Sequence, residues 1–486
     1  MPETRRPGPF ARLLGHSGWR RSRFRADARE MVLLIGRIFG TPPPHLDPVP
    51  PAVTAPAAAV PGTIAVDGGG GSVQAGRRVG LDADRPPARP VTAAGAVPPA
   101  ELLALQRWLE ERQATWLATL EELVRLESPS DDPEAVAGCA DRAAAAFADH
   151  AGLADRPDDT VAAPSRRLGT GAGPGGVLLL CHLDTVWDRG SFLPVFARAG
   201  DRILGPGVFD MKGGVVVAVA ALAALRAAGG LEGAVSVLLT GDEEVGSHGS
   251  RAAIEAAALA HDAVLVLEPP LGGAVKVARK GVGQYQLTVV GRAAHAGIEP
   301  ERGVNAILEL ADQLPRVAAL ADPAAGTTVT IGVVRGGTRS NVVPAQATAE
   351  IDIRVRTAAE ADRVAGGLRG LRPGLPGARL EVTGALNRPP LERSATAALF
   401  RRAGRVAEAL GWPALAGAEV GGGSDGNFTA ALGVPTLDGL GIVGGNAHAA
   451  GEWIVPAELP GRAALLAGLL LSCWREPGAT APGADG

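Results

Sequence analysis

Apolar positions show no sustained period before about residue 98, where Pro, Ala, Gly and Val dominate through Gly68-Gly69-Gly70-Gly71. This predicts a disordered, low-complexity arm over 1–98, or an upstream extension from a misplaced start codon. From Pro99 the pattern changes. Leu102, Leu105, Trp108, Leu109, Trp116, Leu120, Leu123 and Val124 recur at helical spacing until Ser128-Pro129-Ser130, and a second helix is predicted over 133–150. Apolar runs then alternate with helical periods: a strand to Cys181, helix 213–228, strand 234–239, helix 249–260 and strand 263–267. That alternation predicts an α/β fold with a largely parallel sheet flanked by helices.

After Lys276 the order becomes strand 285–290, helix 304–320, strands 327–334 and 345–355, helix 358–371 and strand 378–383. This is the β-α-β-β-α-β pattern of a ferredoxin-like unit. It predicts an inserted domain over 277–386, within a main domain made of 99–276 and 387–476. Helix 395–410, a strand through Val420 and a last helix are expected to return to the first sheet, with 477–486 a disordered tail.

The length, 486 residues, exceeds one typical core and agrees with two folded units. The net charge of −4 and the lack of a basic cluster interleaved with aromatics in the second half point away from nucleic acid; the eight arginines before residue 30 fall in the arm. Cys139, Cys181 and Cys473 are far apart and form no C-x-x-C, which predicts reduced thiols and a cytoplasmic protein. Residues 31–36 are too short an apolar core for a secretory signal. The apolar stretches 215–225 and 463–474 fall short of the ~20 residues of a membrane span and predict buried helices, with no membrane partner.

Acids and histidines gather where the apolar runs end. His182 and Asp184 follow 177–181; Asp210 lies in a Gly-rich turn; Asp242-Glu243-Glu244 follows 235–239; Glu268 follows 264–267; His448 follows a Gly-rich segment. Sites in open α/β sheets form at the carboxyl ends of strands. Imidazole with carboxylate suits zinc, and a carboxylate such as Asp210 can bridge two ions. Neighbouring side chains on a strand point to opposite sides, so Glu243 and Glu244 are expected to divide metal binding from proton handling. Taken alone, the acidic turn also reads as a solvated surface. Gly205-Pro206-Gly207 lacks the G-x-x-x-x-G-K-[ST] pattern of a nucleotide loop.

The ordered motifs His182-Leu183-Asp184-Thr185, Gly207-Val208-Phe209-Asp210-Met211-Lys212-Gly213-Gly214, Asp242-Glu243-Glu244-Val245-Gly246, Glu268-Pro269, Gly291-Arg292-Ala293-Ala294-His295-Ala296-Gly297, Ser340-Asn341-Val342-Val343-Pro344 and Gly422-Gly423-Ser424-Asp425 resemble the M20 family of di-zinc metallopeptidases. That group contains glutamate carboxypeptidase, acetylornithine deacetylase and succinyl-diaminopimelate desuccinylase. The resemblance runs from about Pro99 to Trp474. It implies one zinc on His182, Asp210 and Glu268 and another on Asp210, Glu244 and His448, with Co2+ or Mn2+ able to substitute. Asp184 would hold the far ring nitrogen of His182, and Glu243 would be the general base.

His295 would donate to the oxyanion across a homodimer formed by the inserted (lid) domain. Arg354, Asn341 and the backbone of Gly422 and Gly423 would hold a substrate carboxylate, with Lys276, Arg335 and Arg339 as further candidates. His16, His45, His150, His248 and His261 are expected to take no metal. The implied activity is hydrolysis of an amide bond beside a free carboxylate in a small peptide or N-acyl amino acid. Carboxypeptidase, N-acyl-amino-acid deacylase and carbamoyl amidohydrolase share these ligands. A catalytically silent zinc-binding interaction protein, the alternative of another class, would be expected to have lost ligands; none is lost.

Overall fold

The computed structural model describes residues 97–155, 164–170 and 175–476. The expected tail, 477–486, and nearly all of the expected arm lie outside the described residues. Helices α1 (Pro99–Glu110), α2 (Gln113–Arg125) and α3 (Pro133–Ala146) come first. The apolar period runs on through 111–112, but Arg112 leaves helical geometry (φ −111°, ψ 13°), so α1 and α2 are separate.

Strands β1 (Ala154–Asp155), β2 (Arg166–Gly169) and β3 (Val177–His182) follow, then β4 (Ala197–Ala199), β5 (Arg202–Leu204), helix α4 (Gly213–Ala227), β6 (Val235–Thr240), α5 (Arg251–Leu259) and β7 (Ala263–Val266). The sheet runs β1-β2-β6-β3-β7, and a short strand from late in the chain completes it beside β7. β3 pairs in parallel with β6 and β7, whereas β2 pairs with β6 antiparallel. The antiparallel edge carries no alternation in the sequence. Its central strands are buried on both faces: Leu179, Cys181, Val237 and Leu265 enter one core cluster, Leu178, Leu180, Leu238 and Val264 another. Burial on both faces explains the continuous apolar runs.

Helix α4 is apolar all round and buried from Gly213 to Leu225, as a helix at the centre of a fold should be. Each fully buried Val or Leu there contributes about 1.5–3 kcal/mol. The segment Val208–Ala227, in which Asp210 and Met211 leave helical geometry before α4 begins, is 20 residues long with mean hydropathy 1.9, so by length and composition it reaches what a membrane span needs. This exceeds the expected 215–225, but 94% of its apolar window is buried inside the chain. A Cβ on Gly214 would lie 2.0 Å from the Leu267 carbonyl oxygen, so glycine lets α4 approach the strand end that carries Glu268.

Strand β8 (Val275–Arg279) leads into β9 (Gly281–Val290), α6 (Ala306–Ala318), β10 (Thr328–Gly336), β11 (Gln346–Val355), α7 (Ala358–Arg369) and β12 (Arg379–Arg388). The four strands β9 to β12 form an antiparallel sheet in the order β10-β11-β9-β12, which with α6 and α7 has its own core, including Leu287, Val289, Leu310, Ile351, Ile353 and Val364. On β11 alternate residues are buried, leaving Thr348, Glu350, Asp352 and Arg354 on the other face.

The return comprises α8 (Arg393–Ala409), β13 (Gly417–Val420), α9 (Gly426–Ala431), β14 (Thr436–Leu437), β15 (Gly444–Gly445), β16 (Trp453–Ile454) and α10 (Leu459–Arg475). Only β14 joins the first sheet. The strand through Val420, expected there, instead pairs in parallel with β8 as a separate two-stranded sheet. β15 and β16 extend the β5–β4 hairpin.

Candidate metal centre

Two groups of donor atoms converge beyond the carboxyl ends of β3, β6 and β7. His182 Nε2 lies 3.2 Å from Asp210 Oδ1 and 3.5 Å from Glu268 Oε1. His448 Nε2 lies 2.9 Å from Glu244 Oε2 and 3.4 Å from Asp210 Oδ2. Within each triad the ligand atoms lie within 4.8 Å of one another, and Asp210 belongs to both. Three carboxylates brought this close repel unless a cation lies among them. A mixed imidazole and carboxylate set around a shared aspartate fits a pair of divalent transition-metal ions.

The remaining donor and acceptor atoms of Glu268 and His182 are committed elsewhere. Glu268 Oε2 accepts from Arg279 Nη2 at 2.7 Å and from Lys276 Nζ at 3.3 Å, leaving Oε1 toward His182. Arg279 also forks onto Asp438 at 2.8 and 3.0 Å. His182 Nδ1 donates to the Asp184 carbonyl oxygen at 3.1 Å. A carbonyl only accepts, so Nδ1 carries the proton and Nε2 faces the carboxylates. The Asp184 carboxylate, expected to fill that role, stands farther from Nδ1 at 3.5 Å. Its oxygens accept instead from the Glu243 and Glu244 N–H groups, both at 3.1 Å, and from Ser130 Oγ at 2.7 Å.

Glu452 is 1% exposed and accepts from the N–H groups of Gly207 (3.1 Å), Phe209 (2.8 Å) and Asp210 (3.0 Å) and from Trp187 Nε1 (3.0 Å). It therefore anchors the loop that carries the shared ligand. Neither Glu452 nor Arg279 was legible as a site residue, because each works through groups distant in the chain.

The electrostatics follow from burial and crowding. Burial alone would pull the His182 pKa down, but Asp184, Asp210 and Glu268 outweigh it and hold the pKa well above the ordinary value. Asp210 and Glu244 push His448 up to about 10. Burial would raise Glu268, yet Arg279 and Lys276 keep it well below the usual carboxylate range. Burial holds Glu243 well above that range, against the pull of Arg388.

The side chains of Glu243 and Glu244 meet different partners, though not as strand neighbours. They lie in a turn closed by the Gly246 N–H on the Glu243 carbonyl at 2.9 Å. Glu244 faces His448, whereas Glu243 Oε1 meets Arg388 Nη2 at 3.0 Å. The turn is held by the Asp184 carboxylate beneath it, a contact 59 and 60 residues away that strand periodicity cannot register.

Among the described residues, no hydrogen bond or ion pair joins His295, Asn341 or Arg354 to either triad. His295 and Asn341 sit on adjoining exposed segments, with the Ala296 N–H on the Asn341 carbonyl at 3.0 Å. The Arg354 fork is taken by Asp352, both bonds 2.9 Å. Gly422 and Gly423 turn their carbonyl oxygens to Arg279 Nη1 at 3.2 and 2.8 Å. Lys276 contacts Glu268 and so stands behind a candidate ligand. His261 bonds the Ala257 carbonyl and Ser236, and neither it, His150 nor His248 enters a triad; His16 and His45 lie outside the described residues.

Solved structures share this architecture. Aminopeptidase PepT from Bacillus cereus ATCC 10987 superposes with a TM-score of 0.61 at 23% identity, over 74% of this chain and 98% of that one. The Bacillus subtilis YXEP protein, described as a dinuclear metal binding peptidase, superposes with a TM-score of 0.54 at 15% identity, over 74% of this chain and 98% of its own. By sequence, carboxypeptidase G2 from Pseudomonas sp. (strain RS-16) is 30% identical over 372 residues, 74% of this chain and 90% of that protein. Succinyl-diaminopimelate desuccinylase from Maricaulis maris (strain MCS10) is 36% identical over 193 residues, 36% of this chain and 49% of that protein. The profile of Peptidase family M20/M25/M40 matches residues 178–472, more than half the chain and every candidate ligand, and the chain belongs to that family of hydrolases acting on peptide or other C–N bonds.

Proposed function

We propose that the protein is a two-zinc hydrolase that cleaves the amide bond beside a free carboxylate in a small peptide or N-acyl amino acid. The observation that carries this reading is the pair of triads sharing Asp210, with Glu243 beside them but in neither. His182, Asp210 and Glu268 would hold one ion, and Asp210, Glu244 and His448 the other. When bound, such ions polarise a carbonyl and acidify water. Glu243 then accepts a proton from water as the oxygen adds to the amide carbon, and returns it to the nitrogen as the C–N bond breaks. Its raised proton affinity suits that shuttle.

The carboxypeptidase reading is supported by the likeness to carboxypeptidase G2 over most of both chains. A carboxylate would be recognised by Arg354 and Asn341 once Asp352 is displaced from the Arg354 fork. His295 and Asn341, exposed and without a bond to their own triads, are proposed to serve a partner's site across a two-fold dimer of the second sheet.

A panel of dipeptides, N-acyl amino acids and carbamoyl amino acids identifies the substrate, and paired variants test the mechanism. Glu243→Gln should keep about two metal ions per chain and lose turnover by ~10² to 10⁴, whereas Glu244→Gln should lose metal as well. Equal metal contents in the two variants would refute the division. Mixing Glu243→Gln with His295→Ala should restore about a quarter of wild-type activity per chain, because half the random dimers are mixed and each holds one intact site. No recovery after proven subunit exchange would place His295 elsewhere.

A further inference from the structure

We propose that Arg388 is a positioning residue that holds the Glu243 carboxylate and thereby ties the catalytic turn to the seating of the second sheet. The proposal rests on the reading of Glu243 as general base. Arg388 is the last residue of β12 and is 5% exposed. Nη2 donates to the Glu243 carbonyl at 2.9 Å and to Ser247 Oγ at 2.9 Å, and lies 3.0 Å from Glu243 Oε1. Nη1 donates to Asp425 Oδ1 at 2.8 Å. Asp425 also accepts from Thr240 Oγ1 at the end of β6 and from Ser247 Oγ. One guanidinium thus grips the side chain, the main chain and the far end of the turn.

The preceding residue grips the same turn: Asn387 Nδ2 donates to the Gly246 carbonyl at 3.2 Å. Between them, the final two residues of β12 hold one side of residues 243–247 while Asp184 holds the other. The chain crosses between the main body and the second sheet just here. Arg279, before β9, exchanges main-chain hydrogen bonds of 2.9 and 3.0 Å with Leu391, after β12. Displacement of β12 would pull Arg388 from Glu243, so base geometry and sheet position are mechanically linked. The packing leaves little slack: a Cβ on Gly423 would lie 2.8 Å from Arg388 Cδ. A lysine ammonium cannot reproduce a planar fork reaching Glu243, Ser247 and Asp425 together.

The role is one of position, and Arg388 bonds none of the five candidate metal ligands' side chains. The test uses the full chain loaded with zinc and the best substrate of the panel above. Arg388→Lys is expected to retain its metal and a KM within about threefold while kcat falls ~10²-fold, the cost of a reacting group misplaced by about 1 Å. Guanidinium at millimolar concentration is expected to restore part of the kcat of Arg388→Ala and none of that of Arg388→Lys, where the ammonium occupies the space. If the alanine variant does not fold, the lysine variant decides alone. Arg388→Lys with wild-type kcat while Glu243→Gln is inactive would overturn the proposal and leave the base assignment standing. Loss of metal in step with kcat would overturn it by making Arg388 merely structural. Glu243→Gln at wild-type turnover would overturn the base assignment and the proposal together.

Discussion

His182 and Glu268 project from the ends of neighbouring parallel strands, with side chains 2% and 8% exposed, whereas His448 comes from a loop with left-handed backbone (φ 59°) and is 51% exposed. One triad is bordered by Arg279, Lys276 and the Asp184 carbonyl; the other depends on a turn and a loop. Both need Asp210. The buried triad is the better pre-organised, because its partners cannot move without opening the sheet. The loop triad exchanges more readily with solvent, and His448 in the left-handed region stores backbone strain of the kind found at functional sites.

The largest expected way to break this contrast is on the buried side. Arg279→Met leaves Glu268 and Asp438 buried without their guanidinium, which should cost ~3–5 kcal/mol of stability, read from the urea midpoint of the metal-free protein. An unchanged midpoint would mean that the arginine does not organise that half. Next comes the shared ligand. Glu452→Gln places an amide against main-chain N–H donors and should weaken metal binding ~10- to 100-fold at both positions, measured by competition with a chelator. Weakening at one position only would show that the Asp210 loop is not a common support.

The smallest effect per step, about one decade for each pH unit, separates the halves by pH. In the metal-free protein His448 is held up to about 10, above its ordinary 6.5. Its pairs with Asp210 and Glu244 therefore stabilise the fold fully below pH ~6.5, and that contribution is lost as pH rises through about 10. Metal must displace the same proton. Affinity at the loop triad should fall about tenfold per pH unit lost across that range, with proton release measurable in weak buffer. Metal uptake without proton release would contradict the protonated state of His448.

Most of the architecture was legible because it is written in local periods. Continuous apolar runs marked β3, β6 and β7, and longer apolar stretches marked α4 and α10 within a few residues. The β-α-β-β-α-β order of the second sheet was likewise visible in alternation. Pairings of short, weakly patterned segments were not: β13 looked like any strand of the first sheet, and Arg166-Arg167 gave no sign of an antiparallel edge. The candidate ligands were legible because His, Asp and Glu stand beyond strand ends in order. The supports were not, since a lone Arg at a strand end or a lone Glu in a loop looks solvated until its burial is known.

By itself, then, the sequence determined which residues could bind metal, which elements carry them, and the layered class of the fold, since side-chain period follows from bonds between near neighbours. Only the tertiary structure decided that Asp184 works mainly through the turn after β6, that Glu452 anchors Asp210, and that Arg388 reaches Glu243 across 145 residues. The physical reason is desolvation: a charge withdrawn from water must find a partner, and the folded chain supplies that partner from segments that no local pattern connects.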